Sequence, residues 1–428
     1  MNEITIEIIK LVNGGQGLGF HNGKPVFAWN VLPGETAVVK VTKKKTNYLE
    51  GIATEIRDAS PERIDPEEDH FISCSPWQNM TFDHENHWKR EIAKETFKRM
   101  GGIELPDLEI IHDQTLFGYR NKTEYSFCMN KNSDTMSLAF HHRGTTDLLP
   151  IDKCLLAKEN INKVALRILN RLNEVKARAG DLKSLILRQN SEGLVVAVLA
   201  VNNKHFQLPG VVCDDILTGF HVCLADHLKH ATQRFKPKHS QGSNFITEEV
   251  AGKSFTYGPL SFFQVNLDIF EKALSRISTF VEDEMEIVDF YSGVGAIGIA
   301  LGDKVKSGLL VESDQEASSL ANENIHANGL KNLTARAGGS ETMLSEIKKD
   351  RMIIFDPPRA GLHPRVVGKV LEVLPRRIIY LSCDTATQAR DLKMLEQKYK
   401  PTFCELYNFF PRTPHIESLV VLERVPKY

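Results

Sequence analysis

Three features of the chain predict an α/β protein. From about residue 287 onward, short apolar runs alternate with helical patterns, as in the βαβ units of a parallel, doubly wound sheet. A glycine-rich turn follows the first of these runs. Near the N-terminus, short β-branched runs separated by turn residues predict a small barrel instead. Together these features predict a Rossmann-like sheet, an N-terminal OB-like β-barrel and a strand-rich α+β region between them.

The length of the chain predicts more than one domain. At 428 residues, it exceeds what a single hydrophobic core normally serves. We place the domains at residues 1–58, 59–244 and 245–428, and we expect a helix at residues 88–101 to pack on the third.

Composition and charge exclude several classes of protein. With 42% hydrophobic and 25% charged residues, the chain has an ordinary globular composition and no apolar stretch of membrane-spanning length. Its first residues lack the basic and apolar parts of an export signal. The formal net charge is -2, so any nucleic acid has to be held by local basic patches. We therefore expect a cytoplasmic monomer without a membrane partner.

The cysteines predict no disulfide framework, because they are odd in number, scattered and free of C-x-x-C spacing. They stand at positions 74, 128, 154, 213, 223, 383 and 404.

The first 58 residues predict a small antiparallel barrel. β-branched runs at residues 4–11 and 36–41 read as strands, and glycines punctuate them as turns. Lys43, Lys44 and Lys45, followed by Tyr48, supply charge and a stacking face, as oligonucleotide-binding barrels do. A solvated lysine run on a strand edge explains the same residues equally well.

The middle of the chain is expected to be rich in strands. Residues 58–69 read as a linker, residues 89–100 as a helix and residues 160–176 as an amphipathic helix. Predicted strands lie at residues 125–127, 137–140, 184–188 and 194–200. Basic residues that can contact RNA or form a solvated face are Lys229, His230, Arg234, Lys236 and Lys238.

The C-terminal part alternates strand and helix. The predicted strands are residues 287–291, 308–311, 352–355 and 377–381, and the predicted helices include residues 315–327 and 366–374.

A glycine-rich loop follows the first of these strands. Gly293 and Gly295 let the backbone turn tightly and approach a ligand, and Glu312 ends the next strand, where a carboxylate can accept both hydroxyls of a ribose. An adenosine-bearing methyl donor and a dinucleotide both fit this pattern. Asp289 before the loop and Asp356-Pro357-Pro358-Arg359 after the fourth strand favour S-adenosylmethionine.

Cys383 follows the last predicted strand and precedes a helix. Ligands of open α/β sheets bind at such strand ends, and a thiol beside a helix N-terminus is expected to lose its proton more easily. A buried structural cysteine is the commoner role for a single thiol, so both interpretations stay open on this evidence.

Several segments together resemble the RNA uracil-5 methyltransferases, which make 5-methyluridine, and the resemblance spans nearly the whole chain. The N-terminal barrel resembles a TRAM domain. The segments are Ser261-Phe262-Phe263-Gln264-Val265-Asn266, the glycine loop, Asp356-Pro357-Pro358-Arg359-Ala360-Gly361, Leu381-Ser382-Cys383-Asp384 and Phe410-Pro411-Arg412-Thr413-Pro414-His415-Ile416-Glu417.

The resemblance implies a role for each site residue. Cys383 is the expected nucleophile toward uracil C6, and Glu417 is the expected base that removes the C5 proton. Phe262 is expected to stack on a flipped nucleotide, and Arg120 and Lys122, with Lys43, Lys44 and Lys45, to contact RNA. The residues expected to hold S-adenosylmethionine are Gln264, Tyr291, Gly293, Gly295, Ala296, Glu312 and Asp356.

Two departures from the family pattern matter. Many members hold a 4Fe–4S cluster through four cysteines, but Glu68 and Trp77 occupy two of those positions here, which leaves Cys74 and Cys154. We therefore expect no cluster and no metal, with packing around Trp77 in its place. Gly339 stands where members more often have an acidic or amide residue near the adenine, so the adenine contact at that position is in doubt.

The sequence leaves several functions open. Ribosomal RNA is the preferred substrate because the barrel is more typical of ribosomal members, with transfer RNA as the alternative. An amine methyltransferase that uses the Asp-Pro-Pro loop would need no cysteine. A NAD-linked oxidoreductase would rely on the glycine loop alone, and a noncatalytic RNA-binding protein on the basic residues alone.

Overall fold

The computed structural model describes residues 3–105, 108–130, 135–207, 210–225 and 237–425. The basic residues Lys229, His230, Arg234 and Lys236 lie outside these ranges. Within them, no helix is both long enough and apolar enough to cross a membrane.

Six strands form the N-terminal barrel, in the order β1-β5-β6-β4-β3-β2. Their bounds are β1 (Glu3–Glu7), β2 (Lys10–Leu11), β3 (Gly17–His21), β4 (Lys24–Trp29), β5 (Thr36–Lys44) and β6 (Leu49–Asp58). The predicted antiparallel arrangement is wrong at one place, because β4 and β6 pair in parallel. Alternate apolar side chains such as Ile6, Val26 and Val39 face inward and form the barrel's own core.

The segment that follows the barrel, residues 59–69, is attached to the barrel by an ion pair. The guanidinium of Arg63 donates to the fully buried carboxylate of Glu35, with an Nε–Oε1 distance of 2.6 Å. A short helix α1 (Phe71–Cys74) and a long helix α2 (Phe82–Thr96) follow, and α2 continues into a π-helical turn at Phe97–Gly101. Residues 58–69 therefore connect the regions without being a free linker.

Helix α2 begins at Phe82 instead of near residue 89. Its first turns bury charged side chains, Glu85 and Lys89, and this charge hides the apolar periodicity from the sequence. Phe97, at its C-terminal end, packs in one core with Ile353 and Ala389 of the C-terminal sheet region.

The central region is a seven-stranded sheet in the order β10-β9-β8-β11-β12-β13-β14, covered by helix α3 (Glu159–Glu174). All neighbours are antiparallel except β12 and β13. The strands are β8 (Lys122–Met129), β9 (Met136–His141), β10 (Leu148–Ile151), β11 (Leu182–Gln189), β12 (Val195–Val201), β13 (Leu217–Leu224) and β14 (His239–Gly242). Ile161, Val164 and Ile168 of α3 enter the core at helical spacing, as predicted.

A hairpin and a helix lead into the C-terminal sheet. They are β15 (Ile246–Val250), β16 (Lys253–Tyr257) and α4 (Leu267–Ser278). The loop between β16 and α4 carries Phe262 and Gln264.

The C-terminal sheet has eight strands in the order β19-β18-β17-β20-β21-β23-β22-β7. The strands are β7 (Ile110–Ile111), β17 (Glu286–Phe290), β18 (Ser307–Glu312), β19 (Leu333–Ala337), β20 (Arg351–Phe355), β21 (Arg377–Ser382), β22 (Tyr399–Tyr407) and β23 (Glu417–Arg424). The helices are α5 (Ala296–Ala300), α6 (Gln315–Ala327), α7 (Pro364–Val373) and α8 (Thr385–Leu395).

The alternation of strand and helix predicts β17, β18, β20 and β21 as parallel strands, and they are parallel. A fifth parallel strand, β19, is not among the predicted strands. The alternation of strand and helix does not extend to β22 and β23. No helix separates β22 from β23, so β23 returns antiparallel and inserts between β21 and β22. This insertion brings Glu417, the first residue of β23, beside the end of β21.

Candidate active site

A cleft of about 770 Å³ opens at the carboxyl ends of β17, β18, β20 and β21. Helices follow β17 and β18 on one side of the opening, and the Asp356 loop follows β20 on the other. Open α/β sheets bind ligands at this edge. The residues that line the cleft come from each of these strand ends and from the loop that carries Phe262 and Gln264.

The glycine loop shapes one wall of the cleft. Gly293 has φ +55°, and a β-carbon placed on it would meet no atom within 4 Å, so this glycine leaves open space toward a ligand. Gly295 has φ +95°, and a β-carbon there would lie 2.6 Å from Ile299 Cδ1. Gly295 does not line the cleft. Its positive φ lets the chain turn closely over Ile299 and start α5.

Glu312 presents a fixed carboxylate at the end of β18. Its Oε2 accepts the Gly293 N–H at 2.9 Å, and its Oε1 accepts the Asp314 N–H at 2.8 Å. Two backbone donors hold the side chain in one orientation while it lines the cleft. Such a carboxylate can accept hydrogen bonds from a pair of ribose hydroxyls.

The other predicted donor-binding residues that line the cleft are Gln264, Tyr291, Ala296 and Asp356. Gln264 is buried, and Ser340 donates a hydrogen bond to the Tyr291 hydroxyl at 2.8 Å. At Gly339, a β-carbon would lie 2.5 Å from Glu341 Oε1. The missing side chain at Gly339 therefore makes room for the carboxylate of Glu341, which lines the same wall.

Two carboxyls on the sheet side of the cleft, the buried Asp289 and the half-buried Asp356, have raised pKa values. Burial raises the pKa of Asp289 to about 8, with the charges of Asp356 and Glu312 adding to the shift and a hydrogen bond from the Gly298 N–H opposing it. Burial raises the pKa of Asp356 to about 7. Among the residues that the structure describes, Asp289 Oδ1 has no hydrogen-bond partner. A cationic ligand would offset the cost of ionising these groups.

Cys383 and Glu417 meet at the mouth of the cleft because of strand register. Ser382 of β21 pairs with Ser418 of the antiparallel strand β23. Cys383, which follows Ser382, therefore stands opposite Glu417, which precedes Ser418. Both side chains line the cleft. Glu417 is 3% exposed, and no described residue forms a hydrogen bond with its Oε2.

The environment of Cys383 contradicts the expectation of an easily ionised thiol. Burial raises its pKa to about 12, and the charges of Glu417 and Asp356 add to this shift, while Arg359 opposes it. The N-terminus of α8 does not reverse the shift, because the Asp384 carboxylate caps it by accepting the Thr387 N–H at 2.8 Å. Burial and Asp356 also raise the pKa of Glu417 well above its usual value, again with Arg359 opposing.

Phe262 stands at the opening with 70% of its surface exposed and lines the cleft. The next residue, Phe263, is buried and stacks on Tyr257 with ring centroids 4.4 Å apart. The neighbouring backbone is tied to the central sheet, because Arg188 Nη2 donates to the Ser261 carbonyl at 2.8 Å and Asn121 Nδ2 to the Gln264 carbonyl at 3.0 Å. An exposed aromatic ring on a fixed backbone can stack on a base.

The basic residues predicted to contact RNA do not line this cleft; they are Arg120, Lys122, Lys43, Lys44 and Lys45. Lys122 starts β8, where burial and the charge of Arg188 lower its pKa to about 8. Lys43, Lys44 and Lys45 lie at the exposed end of β5, and Lys43 pairs with Glu50 at 3.0 Å.

Arg359 and Arg188 are site residues that sequence reasoning missed. Arg359 lines the cleft and is the cation that opposes the raised pKa of both Cys383 and Glu417. Arg359 is the last residue of the Asp-Pro-Pro-Arg segment, but its proximity to the Cys383 thiol depends on the fold. Arg188 is 1% exposed, and within the part of the chain that the structure describes its Nε and Nη1 have no hydrogen-bond partner. The sequence around Arg188 predicts a strand, but it does not indicate that this side chain is buried beside the loop of Ser261.

Two family models match the chain. The family model described as tRNA (Uracil-5-)-methyltransferase matches residues 83–425, and the TRAM domain model matches residues 2–54. A protein named an uncharacterized RNA methyltransferase from Clostridium tetani is 28% identical over 445 residues, covering 99% of this chain and 97% of its own length. One from Caldanaerobacter subterraneus is 28% identical and covers 98% of each chain.

A solved structure has the same fold. The Pyrococcus abyssi tRNA (uracil-54, C5)-methyltransferase, in complex with S-adenosyl-L-homocysteine, superposes with a TM-score of 0.77. The match covers 97% of this chain and 99% of that one at 24% identity.

Proposed function

The chain belongs to the tRNA (uracil-5-)-methyltransferase family, whose members use S-adenosylmethionine to methylate RNA, and on that premise we propose that it converts uridine to 5-methyluridine in RNA. Cys383 is the nucleophile in this proposal and Glu417 the base. The observation that carries it is the pairing of β21 with β23, which sets this thiol and this carboxyl opposite each other in one cleft.

The cleft suits the methyl donor. Glu312 would accept the ribose hydroxyls, Gly293 leaves the space a ligand needs, and Asp289 and Asp356 favour a cation. Glu341, beside Gly339, takes the place of the acidic side chain that family members more often have near the adenine. When bound, S-adenosylmethionine supplies an electrophilic methyl group on a sulfonium.

Cys383 makes uracil C5 nucleophilic. The thiol first gives its proton to solvent, and the thiolate then forms an S–C6 bond. The electron pair of the former C5–C6 double bond moves into an enolate, which makes C5 electron-rich. That pair would form the C5–CH3 bond while the bond from the methyl group to the donor's sulfur breaks and its electron pair stays on sulfur. C5 is left with both the methyl group and its original hydrogen.

Glu417 then regenerates the double bond. Its carboxylate removes the C5 proton, the electron pair reforms C5=C6, and the S–C6 bond breaks to release Cys383. The raised pKa of Glu417 makes this carboxylate a stronger base than an ordinary glutamate. Arg359, which opposes the raised pKa of both groups, is a positioning residue that favours their ionised forms.

The target base has to leave its helix or loop stack, because stacking and pairing hide C5 and C6. Phe262 offers an exposed ring at the opening for the flipped uracil. Arg120, Lys122 and the lysines of the barrel would hold the phosphates on either side. In this arrangement residues 1–58 and 59–244 bind RNA and residues 245–428 carry the chemistry.

Ribosomal RNA is the substrate we favour, since the barrel is more typical of ribosomal members of the family. Transfer RNA is the second candidate, because the Pyrococcus tRNA enzyme matches this fold over nearly the full length of both chains. Mass-spectrometric mapping of 5-methyluridine in both RNAs, with and without the gene, distinguishes them. If no uridine site changes in ribosomal RNA, that substrate is wrong.

Tritium release tests the site of methylation. In RNA whose uracil rings carry tritium at C5, methylation of C5 releases one tritium for each methyl group transferred. We expect this ratio for the native enzyme and no release for Cys383→Ala. Methyl transfer without tritium release would contradict the proposal and favour an amine methyltransferase. A Cys128→Ser variant, whose thiol lies on β8, controls for loss of a cysteine elsewhere.

A further inference from the structure

A second group of reactive side chains lies outside the active site, between α1 and the loop before α3. The thiol sulfurs of Cys74 and Cys154 and a ring nitrogen of His70 all lie within 4.8 Å of one another. His70 and Cys154 are buried, and Cys74 is half-buried. The proposed methylation uses none of these residues.

The group does not fit the 4Fe–4S cluster of many family members. A cubane cluster needs four thiolates, and only two thiols meet here. The Glu68 carboxylate is already hydrogen-bonded by the Leu155 N–H at 2.6 Å and by Gln78 Nε2 at 2.9 Å. Family chemistry therefore does not explain why the two thiols and the imidazole stay together.

Trp77 does not replace the cluster by packing on these thiols, as the sequence suggested. Its Nε1 donates to the Gly15 carbonyl at 3.0 Å, and its ring packs with Leu11, Leu32 and Met80. Cys154 belongs to a different core, the core of the central sheet, and Cys74 packs against it. Something other than the indole has to account for the cysteine pair.

We propose that His70, Cys74 and Cys154 bind a single zinc ion. Two thiolates and an imidazole are a common zinc ligand set, with bonds of about 2.3 Å to sulfur and about 2.0 Å to nitrogen. Ligand atoms on a tetrahedron of that size lie roughly 3.3–3.8 Å apart. Atoms already within 4.8 Å of one another need only a small movement of their side chains to reach this geometry.

Glu68 completes the surroundings of the ion. It lies 3.2 Å from Nε2 of His70, and a carboxylate beside a ligating histidine orients the ring. Glu68 Oε2 is also 3.9 Å from the Cys74 sulfur. Because both Glu68 oxygens already accept hydrogen bonds from Leu155 and Gln78, the fourth tetrahedral position falls to water.

Two arginines offset the negative charge that the thiolates bring. Arg143 donates hydrogen bonds to the carbonyls of Ile72 and Ser73 in α1. Arg120 is held near the site because its backbone bridges to Ala157, three residues after Cys154. In this site the ion pins the four-residue helix α1 to the central sheet, a helix too short to be stable by itself.

Metal analysis of the full chain tests the proposal. The protein is expressed in zinc-supplemented medium and purified anaerobically, without chelator. Inductively coupled plasma mass spectrometry is expected to find about one zinc per chain. Cys154→Ala and His70→Ala should lose most of it, whereas Cys223→Ala, at a buried cysteine on β13, should keep it.

Cobalt replacement keeps the test valid if a variant fails to fold. In the native chain reconstituted with Co²⁺, we expect thiolate-to-cobalt charge-transfer absorption and the intense visible bands of a tetrahedral ion. Iron with matching inorganic sulfide would overturn the proposal in favour of a cluster. Native protein without bound metal, or with a disulfide between Cys74 and Cys154, would overturn it as well.

Discussion

At the scale of single residues, the site combines groups that are individually costly to bury. Cys383 has a raised pKa, and Glu417, Asp289 and Asp356 are carboxyls whose ionised forms are disfavoured by burial. Arg359 is the cation common to the thiol and the base. Two charged partners arrive with the reaction, since the methyl donor is cationic and the RNA is anionic. The unliganded site is therefore set to change its protonation when they bind.

Replacing Glu417 by glutamine tests the role of the base. Addition of Cys383 and methyl transfer need no carboxylate at this position, but removal of the C5 proton does. We expect turnover to fall about 10²–10⁴-fold and a methylated protein–RNA adduct to accumulate, detectable by denaturing gel.

Glu423→Gln is the matched control, because Glu423 lies on the same strand and pairs with Arg377 away from the cleft. It should turn over at the native rate. A Glu417→Gln enzyme that is slow but accumulates no adduct would mean that Glu417 acts before methyl transfer.

The affinity for S-adenosylmethionine should depend on pH. The pKa values of Asp356 and Asp289 are raised to about 7 and about 8, so both carboxyls are largely protonated at pH 6 without ligand. The cationic ligand favours their ionised forms, so binding releases protons and tightens as pH rises from 6 to 8. Isothermal titration calorimetry in buffers of different ionisation enthalpy measures both the affinity and the proton release. Asp356→Asn should flatten the profile, and an equally steep profile in this variant would contradict the assignment.

At the scale of elements, α2 fixes the loop that leads into β23. Lys89 Nζ donates to Glu85 at 2.8 Å, to Asn408 Oδ1 at 2.6 Å and to the Phe410 carbonyl at 3.1 Å. The same Glu85 accepts the Arg412 N–H at 3.0 Å. These buried polar contacts hold residues 408–412 in place. Because this loop leads directly into β23, they also fix the start of that strand, where Glu417 lies.

A Lys89→Met variant should therefore be strongly destabilised. It leaves Glu85 buried without its ammonium partner, and breaking a buried ion pair costs about 3–5 kcal/mol. Chemical denaturation measures the loss in the free energy of unfolding. Lys98→Met, which removes an exposed pair with Glu104, should change it by less than about 0.5 kcal/mol. Similar effects of the two variants would contradict the bracing role of Lys89.

The elements also show what sequence can and cannot predict. Regular apolar spacing predicts α3 and four of the five parallel strands, all except β19, and the family resemblance indicates Cys383 and Glu417. Helix α2 was placed too late because Glu85 and Lys89 are buried charges, which a hydrophobic pattern reads as surface. The antiparallel return of β23 was missed since register depends on partners far along the chain. The raised pKa of Cys383 was missed for the same reason, because Asp356, Arg359 and Glu417 meet it only in the fold.

At the scale of the whole molecule, we propose that the barrel binds RNA and that the catalytic cleft carries the chemistry. The family and TRAM models together account for nearly the whole chain, which confirms the predicted resemblance and fold class. Because the net charge is close to zero, RNA affinity should depend on a few local clusters of lysine and arginine.

Removing two barrel lysines should weaken RNA binding without slowing the bound enzyme. For Lys44→Ala/Lys45→Ala, the slope of log K against log salt should become shallower by roughly 1–2, because each phosphate contact contributes about 0.7–0.9. Fluorescence anisotropy at several salt concentrations measures the slope. Lys348→Ala/Lys349→Ala, which changes an exposed turn near the other end of the catalytic sheet, is the control. Equal slopes for native and barrel variant would exclude the barrel lysines from RNA binding.

Trapping with RNA that contains 5-fluorouridine tests the central claim most directly. Fluorine at C5 cannot be removed as a proton, so the step assigned to Glu417 stops and the enzyme stays attached to the base. With S-adenosylmethionine present, peptide mapping should find Cys383 bound to C6 of a uracil that carries a methyl group at C5, and Cys383→Ala should form no adduct. Attachment through another cysteine, or methylation of uridine by the Cys383→Ala enzyme, would contradict the account.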